Sequence, residues 1–411
     1  MIKEVIECRI CKQKSVNEFL PLGDIPLPNG FIKKEDLKLN EPRFPLRVGI
    51  CVDCGLVQLM DVVNPEAMFR NYVYIPSTSK TRMSNFAEIA SGAQKRFKVN
   101  QNSLVVDIGS NDGSLLSFFK GYGIRVLGID PAINLAKVAE LKGIETVNNY
   151  ISASLARKIR KSKGPAKVIT ATNVVAHIDD LHDLLKSVEL LLEDEGVFIC
   201  EFPYLLDLIE NNQFDTIYHE HLSYFSIKPL LHLLQQVGLE MTDVVRTPID
   251  GGSLRVFIQK RQKKAKKNSK IEILLKNEME KKLYDKKTLD SFAHRVKRLK
   301  TELRKTLTKL KNSNKKIVAY GAAAKGNILL NYCNIGNSLI DFAVDSTPYK
   351  QGLYTPGTHI RIFPEAEIIK RKPDYILILA WNFAKEIMEK EKKYKVNGGK
   401  FIIPVPAVTI V

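Results

Sequence analysis

Residues 103–119 read "SLVVDIGSNDGSLLSFF", and the order of chemistry along them decides the fold. Leu104, Val105, Val106 and Ile108 form a short apolar run of strand length, Gly109 and Gly113 mark a turn, and Leu115, Leu116, Phe118 and Phe119 open a helix. A second run, "IRVLGID" over 124–130, ends in Asp130. Strand, glycine turn, helix and strand in that order begin a doubly wound α/β sheet, whose ligands sit outside the carboxyl ends of the strands. The glycine spacing is not the Gly-x-Gly-x-x-Gly of nicotinamide-binding turns. Glycine lets the backbone approach a ligand closely, and a carboxylate at the end of the second strand suits ribose hydroxyls. The turn carries no lysine to neutralise a pyrophosphate. Together these features favour S-adenosylmethionine, which bears a sulfonium charge and no phosphate. Asp107, Gly109, Asn111, Gly113 and Asp130 are therefore the candidate cofactor-binding residues.

The same sheet continues through "AKVITATNVVAHI" (166–178) as a fourth strand and "GVFICEFPY" (196–204) as a fifth. "EFPY" is near the (Asp/Asn)-Pro-Pro-aromatic signature of amino-group methyltransferases, but that signature follows the fourth strand. Asn173 and His177 occupy that mouth here, as substrate or cofactor contacts or as residues that satisfy loop backbone. Further on, "KIVAYGAAAKGNILLNY" (316–332) repeats the strand, small-residue turn and helix. It is followed by a strand ending at Asp345 and by the apolar "DYILILAWNF". Lys325, near the start of that helix, is a candidate phosphate contact, because free backbone N–H groups already favour anions there; a solvent-facing lysine is the alternative.

Upstream lie "CRIC" and "CVDC": Cys8, Cys11, Cys51 and Cys54. Two Cys-x-x-Cys knuckles can bind one zinc ion, with chance pairing or redox use as the alternatives, and four thiolates would close the tetrahedron, leaving no position for substrate. The expected role is structural.

The chain of 411 residues is long enough for two or three domains. Its net charge of +18 would suit nucleic acid if it were spread evenly, but residues 260–316 hold 22 Lys and Arg against 6 Asp and Glu. Within that segment Phe292, Val296, Leu299, Leu303, Leu307 and Leu310 recur at spacings of three and four. This is the apolar stripe of an amphipathic helix with solvated outer faces. A charged helical connector is expected; an anion- or polynucleotide-binding face is the alternative, and the segment lacks the aromatic or glycine-rich features it would need. No apolar run approaches the ~20 residues that span a bilayer, and the N-terminus lacks a secretory pattern. A cytoplasmic protein is expected.

Residues 218–224, "YHEHLSY", hold two of the seven histidines. They read as metal ligands, as a catalytic base with helpers, or as loop residues. If the stretch is extended, His219 and His221 point to opposite sides, which argues against chelation and turns His219 from any site that His221 serves.

Taken in order, "CRIC…CVDC", "FRNYVYIPSTS", "DIGSNDGSLL", "NVVAHI", "EFPYLLDLIENNQFDTIYHEHLSYFS", "DGGSLRVF" and "YGAAAKGNILLNY" resemble the sugar C-methyltransferases that act on nucleotide-linked keto-sugars in deoxysugar biosynthesis. The resemblance covers nearly the whole chain. It implies an α/β protein with an N-terminal zinc-binding domain, a central Rossmann-like S-adenosylmethionine methyltransferase domain and a second, C-terminal Rossmann-like domain that binds nucleotide-sugar. By that resemblance His221 matches the catalytic base, with Tyr218 and Glu220 beside it and Tyr72 reaching the same site, although Tyr74 competes with Tyr72 for that role. Asn173 and His177 match positions near the sugar. The implied substrate is a 4-keto-sugar methylated at its 3-position, with thymidine diphosphate the commonest carrier and guanosine or cytidine carriers open. Boundaries are expected at 1–75, 76–260, 261–316 and 317–411, in a monomer. A sugar O-methyltransferase, or a zinc-ribbon nucleic-acid-binding protein on a degenerate methyltransferase fold, remains the competing expectation.

Overall fold

The computed structural model describes residues 2–70, 72–262 and 268–411. Near the N-terminus β1 (Ile2–Glu4), β2 (Val16–Ile25), β3 (Phe44–Cys51), β4 (Val57–Leu59) and β5 (Asp61–Val63) surround the four cysteines. β2, β3 and β4 run antiparallel, and β1 pairs with β5.

The central sheet is built from β6 (Leu104–Ile108), β7 (Arg125–Ile129), β8 (Thr146–Val147), β9 (Ala166–Thr172) and β10 (Leu192–Pro203). After the short β11 (Ser223–Tyr224) the chain returns to it as β12 (Leu239–Thr247) and β13 (Ser253–Lys260). Its order is β12-β13-β10-β9-β6-β7-β8. β6 to β10 are parallel, and β13 runs antiparallel to β10 and β12. All five residues of β6 are buried, as expected of a strand with helices on both faces, where apolar residues run continuously instead of alternating. β11 belongs elsewhere: it pairs with β4, Ser223 opposite Gln58, and so extends the zinc-side sheet.

The last sheet comprises β14 (Ile317–Tyr320), β15 (Phe342–Val344), β16 (Ile362–Phe363), β17 (Tyr375–Ile378), β18 (Lys400–Ile403) and β19 (Thr409–Ile410). Its order, β16-β15-β14-β17-β18-β19, repeats the third-second-first-fourth-fifth strand order of the central sheet's parallel part. The α/β class and its three-part composition agree with the expectation.

The basic segment forms the helices Ser269–Glu280 and Lys286–Asn312; its residues 263–267 lie outside the described ones. Phe292, Val296, Leu299, Leu303 and Leu307 are all buried and Leu310 is partly so, so the apolar stripe faces inward as its spacing predicts. The helix Lys286–Asn312 lies against β2 and the helix Leu205–Glu210. Arg295 donates to the Ile209 carbonyl at 2.6 Å, and Arg304 to that of Cys333 at 2.9 Å. It touches all three parts of the protein. A loop of the zinc side also meets the C-terminal part directly: Ile32 bridges Tyr354, and Asn327 donates to the Pro28 carbonyl at 2.7 Å.

Candidate active site

The four cysteine sulfurs lie within 4.8 Å of one another, with Cys8–Cys54 and Cys11–Cys51 each 3.4 Å apart. A tetrahedral zinc–thiolate site with bonds of about 2.3 Å needs sulfurs roughly 3.8 Å apart, so the donors fit. Crowding shows in their acidity. The Cys54 thiol beside it holds Cys8 down to about 5, burial pushes Cys11 up to about 11, and Cys54 is raised by its bond to Cys8 and by burial. A divalent cation relieves this repulsion by stabilising all four thiolates.

A cavity of about 440 Å³ opens at the carboxyl ends of the central strands, within the usual size of a small-molecule site. Asp107, Gly109, Asn111 and Asp130 line it. Asp130 is buried and accepts the backbone N–H of Asn111 and of Ala132, each at 2.8 Å; each oxygen keeps a lone pair for a hydroxyl. Gly109 has φ +70°, and a Cβ there would fall 2.3 Å from Val174. Ser110 Oγ, Tyr150 Oη and one guanidinium nitrogen of Arg82 are buried on the same walls without a partner among the described residues. Buried polar atoms are normally paired, so the cavity fits a polar cofactor whose own groups satisfy them. Burial pushes Asp107 up to about 7 despite the Thr170 hydroxyl at 2.6 Å. Asn111 gives its side-chain N–H to the Tyr74 carbonyl at 3.0 Å, so its amide pins the 72–75 segment. Gly113 does not line the cavity; it precedes the helix Ser114–Gly121 at φ +73°, packed on Ile144.

Beyond the cofactor end, Tyr72, Asn173, His177, Tyr218, His221 and Lys325 line the same cavity. The stretch 218–221 is not extended, which corrects the premise of alternation. His221 N–H bonds the Tyr218 carbonyl at 2.8 Å, closing a tight turn that splays three side chains apart. His219 goes toward the zinc side, fully buried, and gives Nε2–H to the Phe44 carbonyl at 3.2 Å. Glu220 stands behind the cavity wall, accepting Tyr72 Oη–H at 2.7 Å and Asn29 Nδ2–H at 2.6 Å. Its burial pushes the carboxyl up to about 7. His221 enters the cavity; its Nδ1 meets the Thr216 carbonyl at 2.7 Å, and because a carbonyl only accepts, the neutral ring keeps its proton on Nδ1 and its lone pair on Nε2. Burial lowers this imidazole to about 4. The ring lies 3.9 Å from the Tyr218 ring and 5.0 Å from His177, centroid to centroid. Burial, and then His221, hold His177 well below its usual range, and its Nε2 is buried without a partner among the described residues. Tyr72 bonds Glu220, whereas Tyr74 stands beside Arg82, so the two phenols serve different walls.

A further wall joins Asn173 and Lys325 to Arg82 and Asp250, neither of which the sequence singled out as a site residue. Arg82 gives Nη2–H to both carboxylate oxygens of Asp250 at 2.7 Å, and Asn173 adds a bond at 2.8 Å. Burial alone would raise Asp250, but Arg82 and Lys325 outweigh it and hold it at about 2. Asn173 and Asp250 both have positive φ, 57° each, which asparagine and aspartate tolerate best. Asn134 clamps the backbone of Tyr72 on both sides, at 3.1 and 2.8 Å. From the C-terminal part, Lys325 reaches the cavity, donating to Asn382 Oδ1 at 3.0 Å; burial lowers its ammonium. Asp345 accepts the backbone N–H of Ala322 at 2.7 Å and of Thr347 at 2.8 Å. Only "DGG" in "DGGSLRVF", with its two glycines, hinted that Asp250 sits in a specially shaped loop; Asn29, Arg82 and Asn134 lie in unremarkable stretches.

Three family models match successive stretches of the chain: a "zinc binding domain" over residues 8–69, a "Methyltransferase domain" over 82–244 and a "C-methyltransferase C-terminal domain" over 248–406. Over 411 residues the chain is 35% identical to C-methyltransferase NovU of Streptomyces niveus, spanning 100% of this chain and 98% of that protein. Among solved structures it is similar to PH0226 protein from Pyrococcus horikoshii, at 15% identity and TM-score 0.37 over 48% of this chain and 97% of that one. It is also similar to an S-adenosylmethionine-dependent methyltransferase from Clostridium acetobutylicum, at 14% identity and TM-score 0.36 over 44% and 92%.

Proposed function

We propose, from the premise that this chain belongs to the S-adenosylmethionine-dependent C-methyltransferase family, that its acceptor is a nucleotide-diphosphate-linked 4-keto-deoxysugar methylated at C3. The observation that carries this reading is the tautomer of His221: its Nδ1 proton is spent on Thr216, so the lone pair of Nε2 belongs to a residue lining the cavity. A carbon acceptor needs such a group, because a C–H beside a ketone becomes nucleophilic only when a base removes its proton.

S-Adenosylmethionine, when bound, supplies an electrophilic methyl. The chain supplies the rest. Asp130 and the backbone around Gly109 hold the cofactor end, and Lys325 meets the diphosphate, where a charged donor is worth most. His221 takes the C3 proton on Nε2. An imidazole lowered to about 4 is fully neutral at pH 7 but a weak base, so a positioned base, worth ~10²–10⁴ in rate, does not suffice. The Tyr218 hydroxyl donates to the enolate oxygen as its charge develops, while Tyr72, whose one proton goes to Glu220, has only oxygen lone pairs left to accept from a sugar hydroxyl. Glu220 acts through Tyr72, fixing its hydroxyl. Asn173 and His177 present their unpaired Oδ1 and Nε2 to sugar hydroxyls. On the same reading the boundaries fall at residues 75, 260 and 316, and a monomer suffices, since one chain furnishes every wall of the cavity.

The test is incubation of purified protein with S-adenosylmethionine and a panel of nucleotide-linked 4-keto-sugars, read by sugar mass and by NMR of the new methyl. A carbon-attached methyl with loss of the C3 proton is expected. A methyl on oxygen would overturn the base-and-enolate reading.

A further inference from the structure

Trp381, the sole tryptophan of the chain, touches three groups that the proposed reaction uses separately. It opens the turn Trp381–Phe383 beyond β17. Its indole Nε1–H donates to Asp215 Oδ2 at 2.6 Å. Asp215 is fully buried in the turn Phe214–Thr216, and the next residue is the one whose carbonyl holds His221 Nδ1. The far edge of the indole packs on Gly251, where a Cβ would lie 3.0 Å from Cη2. Gly251 follows Asp250, which fixes Arg82 and Asn173. Lys325 Nζ stands 4.9 Å from the ring centroid and bonds Asn382, the neighbour of Trp381. The second oxygen of Asp215 has no partner among the described residues.

We propose that Trp381 is a positioning residue that links a nucleotide diphosphate at Lys325 to the orientation of His221. The proposal rests on the assignment of His221 as the base. The physical reason is the cost of the alternative. A buried carboxylate with one of its oxygens already unpaired loses its remaining side-chain donor if the indole moves, and leaving such a group unsatisfied is expensive. The turn 214–216 therefore follows the indole, and Thr216 carries the His221 ring with it. The indole in turn is held by Lys325 through its face, so an anion that engages the spare donors of Lys325 fixes the indole edge.

Trp381→Phe keeps an aromatic face but removes the N–H together with the indole edge on Gly251, so Asp215→Ala, which removes the acceptor and leaves the indole whole, is its matched partner. With a thymidine-diphosphate-linked 4-keto-6-deoxyhexose as probe, kcat and the rate of solvent-deuterium entry at C3 should fall together, by about 10–100-fold for a sub-ångström misplacement. KM for the probe and S-adenosylmethionine affinity should stay close to those of the unaltered protein. Asp215→Ala should match this loss, and Asp215→Asn, which keeps an acceptor, should restore most of the rate. Undiminished exchange in Trp381→Phe, or a loss confined to KM, would overturn the proposal. His221→Asn run alongside separates the two readings. Retained exchange in that variant removes the base assignment and this role with it, whereas retained exchange only in Trp381→Phe removes the role alone. Because the chain has one tryptophan, thymidine diphosphate should also shift its fluorescence in the unaltered protein and not in Lys325→Ala; no shift at saturation would likewise sink the coupling.

Discussion

Nδ1 of His221 and the carbonyl oxygen of Thr216 lie 2.7 Å apart, five residues from each other in the chain. That one bond sets which nitrogen of the ring keeps a free lone pair, and on the proposed reading it makes the backbone of the turn Phe214–Thr216 part of the catalytic apparatus. Replacing His221 with Asn should reduce kcat by roughly 10²–10⁴ while leaving S-adenosylmethionine affinity and the melting temperature nearly unchanged. His219→Asn should do the opposite: turnover close to normal, with stability lowered by about 1–3 kcal/mol for a disrupted buried bond, because His219 is buried against Phe44 and does not line the cavity. Turnover assays and denaturant melts on both variants decide it.

The pH profile should report Glu220. Burial raises its carboxyl to about 7, and Tyr72 and Asn29 stabilise its ionised form as donors. kcat should therefore rise with pH through about 7 as the proton leaves. Tyr72→Phe removes a donor to the carboxylate, so the acid limb should move to higher pH. Glu220→Gln should abolish that limb and expose the one near 4 that belongs to His221. An unchanged limb in Glu220→Gln would assign it to another group.

Loss of zinc should reach the active site through the sheet. β11, directly after the turn that carries His221, pairs with β4 of the zinc side. Cys54→Ser should release about one zinc equivalent to a chromogenic chelator, since the four donors form a single cluster. It should lower the melting temperature and turnover together. Normal turnover in a zinc-free, folded variant would show the two ends to be independent.

The cofactor end gives a paired prediction. Asp130→Ala should weaken S-adenosylmethionine binding about 10–100-fold, the worth of hydrogen bonds to a charged group. Gly109→Ala should lose binding and about 1–3 kcal/mol of stability as well, from a non-glycine residue held at positive φ, with further cost from the overlap with Val174. Calorimetric titration and thermal melts separate the two effects.

Much of this protein was already written in local sequence. Strand, turn and helix around Gly109, the paired cysteines and the stripe from Phe292 to Leu310 are patterns of spacing, and spacing fixes which side chains share a face before any long-range contact forms. Only the folded chain could decide the rest. The tight turn at 218–221 defeats alternation and sends His219, Glu220 and His221 three ways. Asn29, Arg82, Asn134, Asp250 and Trp381 come to the site from distant segments, and apart from the glycine pair after Asp250 no local spacing singles them out as site residues. The acidity of Glu220 and His221 is likewise tertiary, because it is set by the water excluded and the partners brought near, and neither quantity exists until distant parts of the chain close over them.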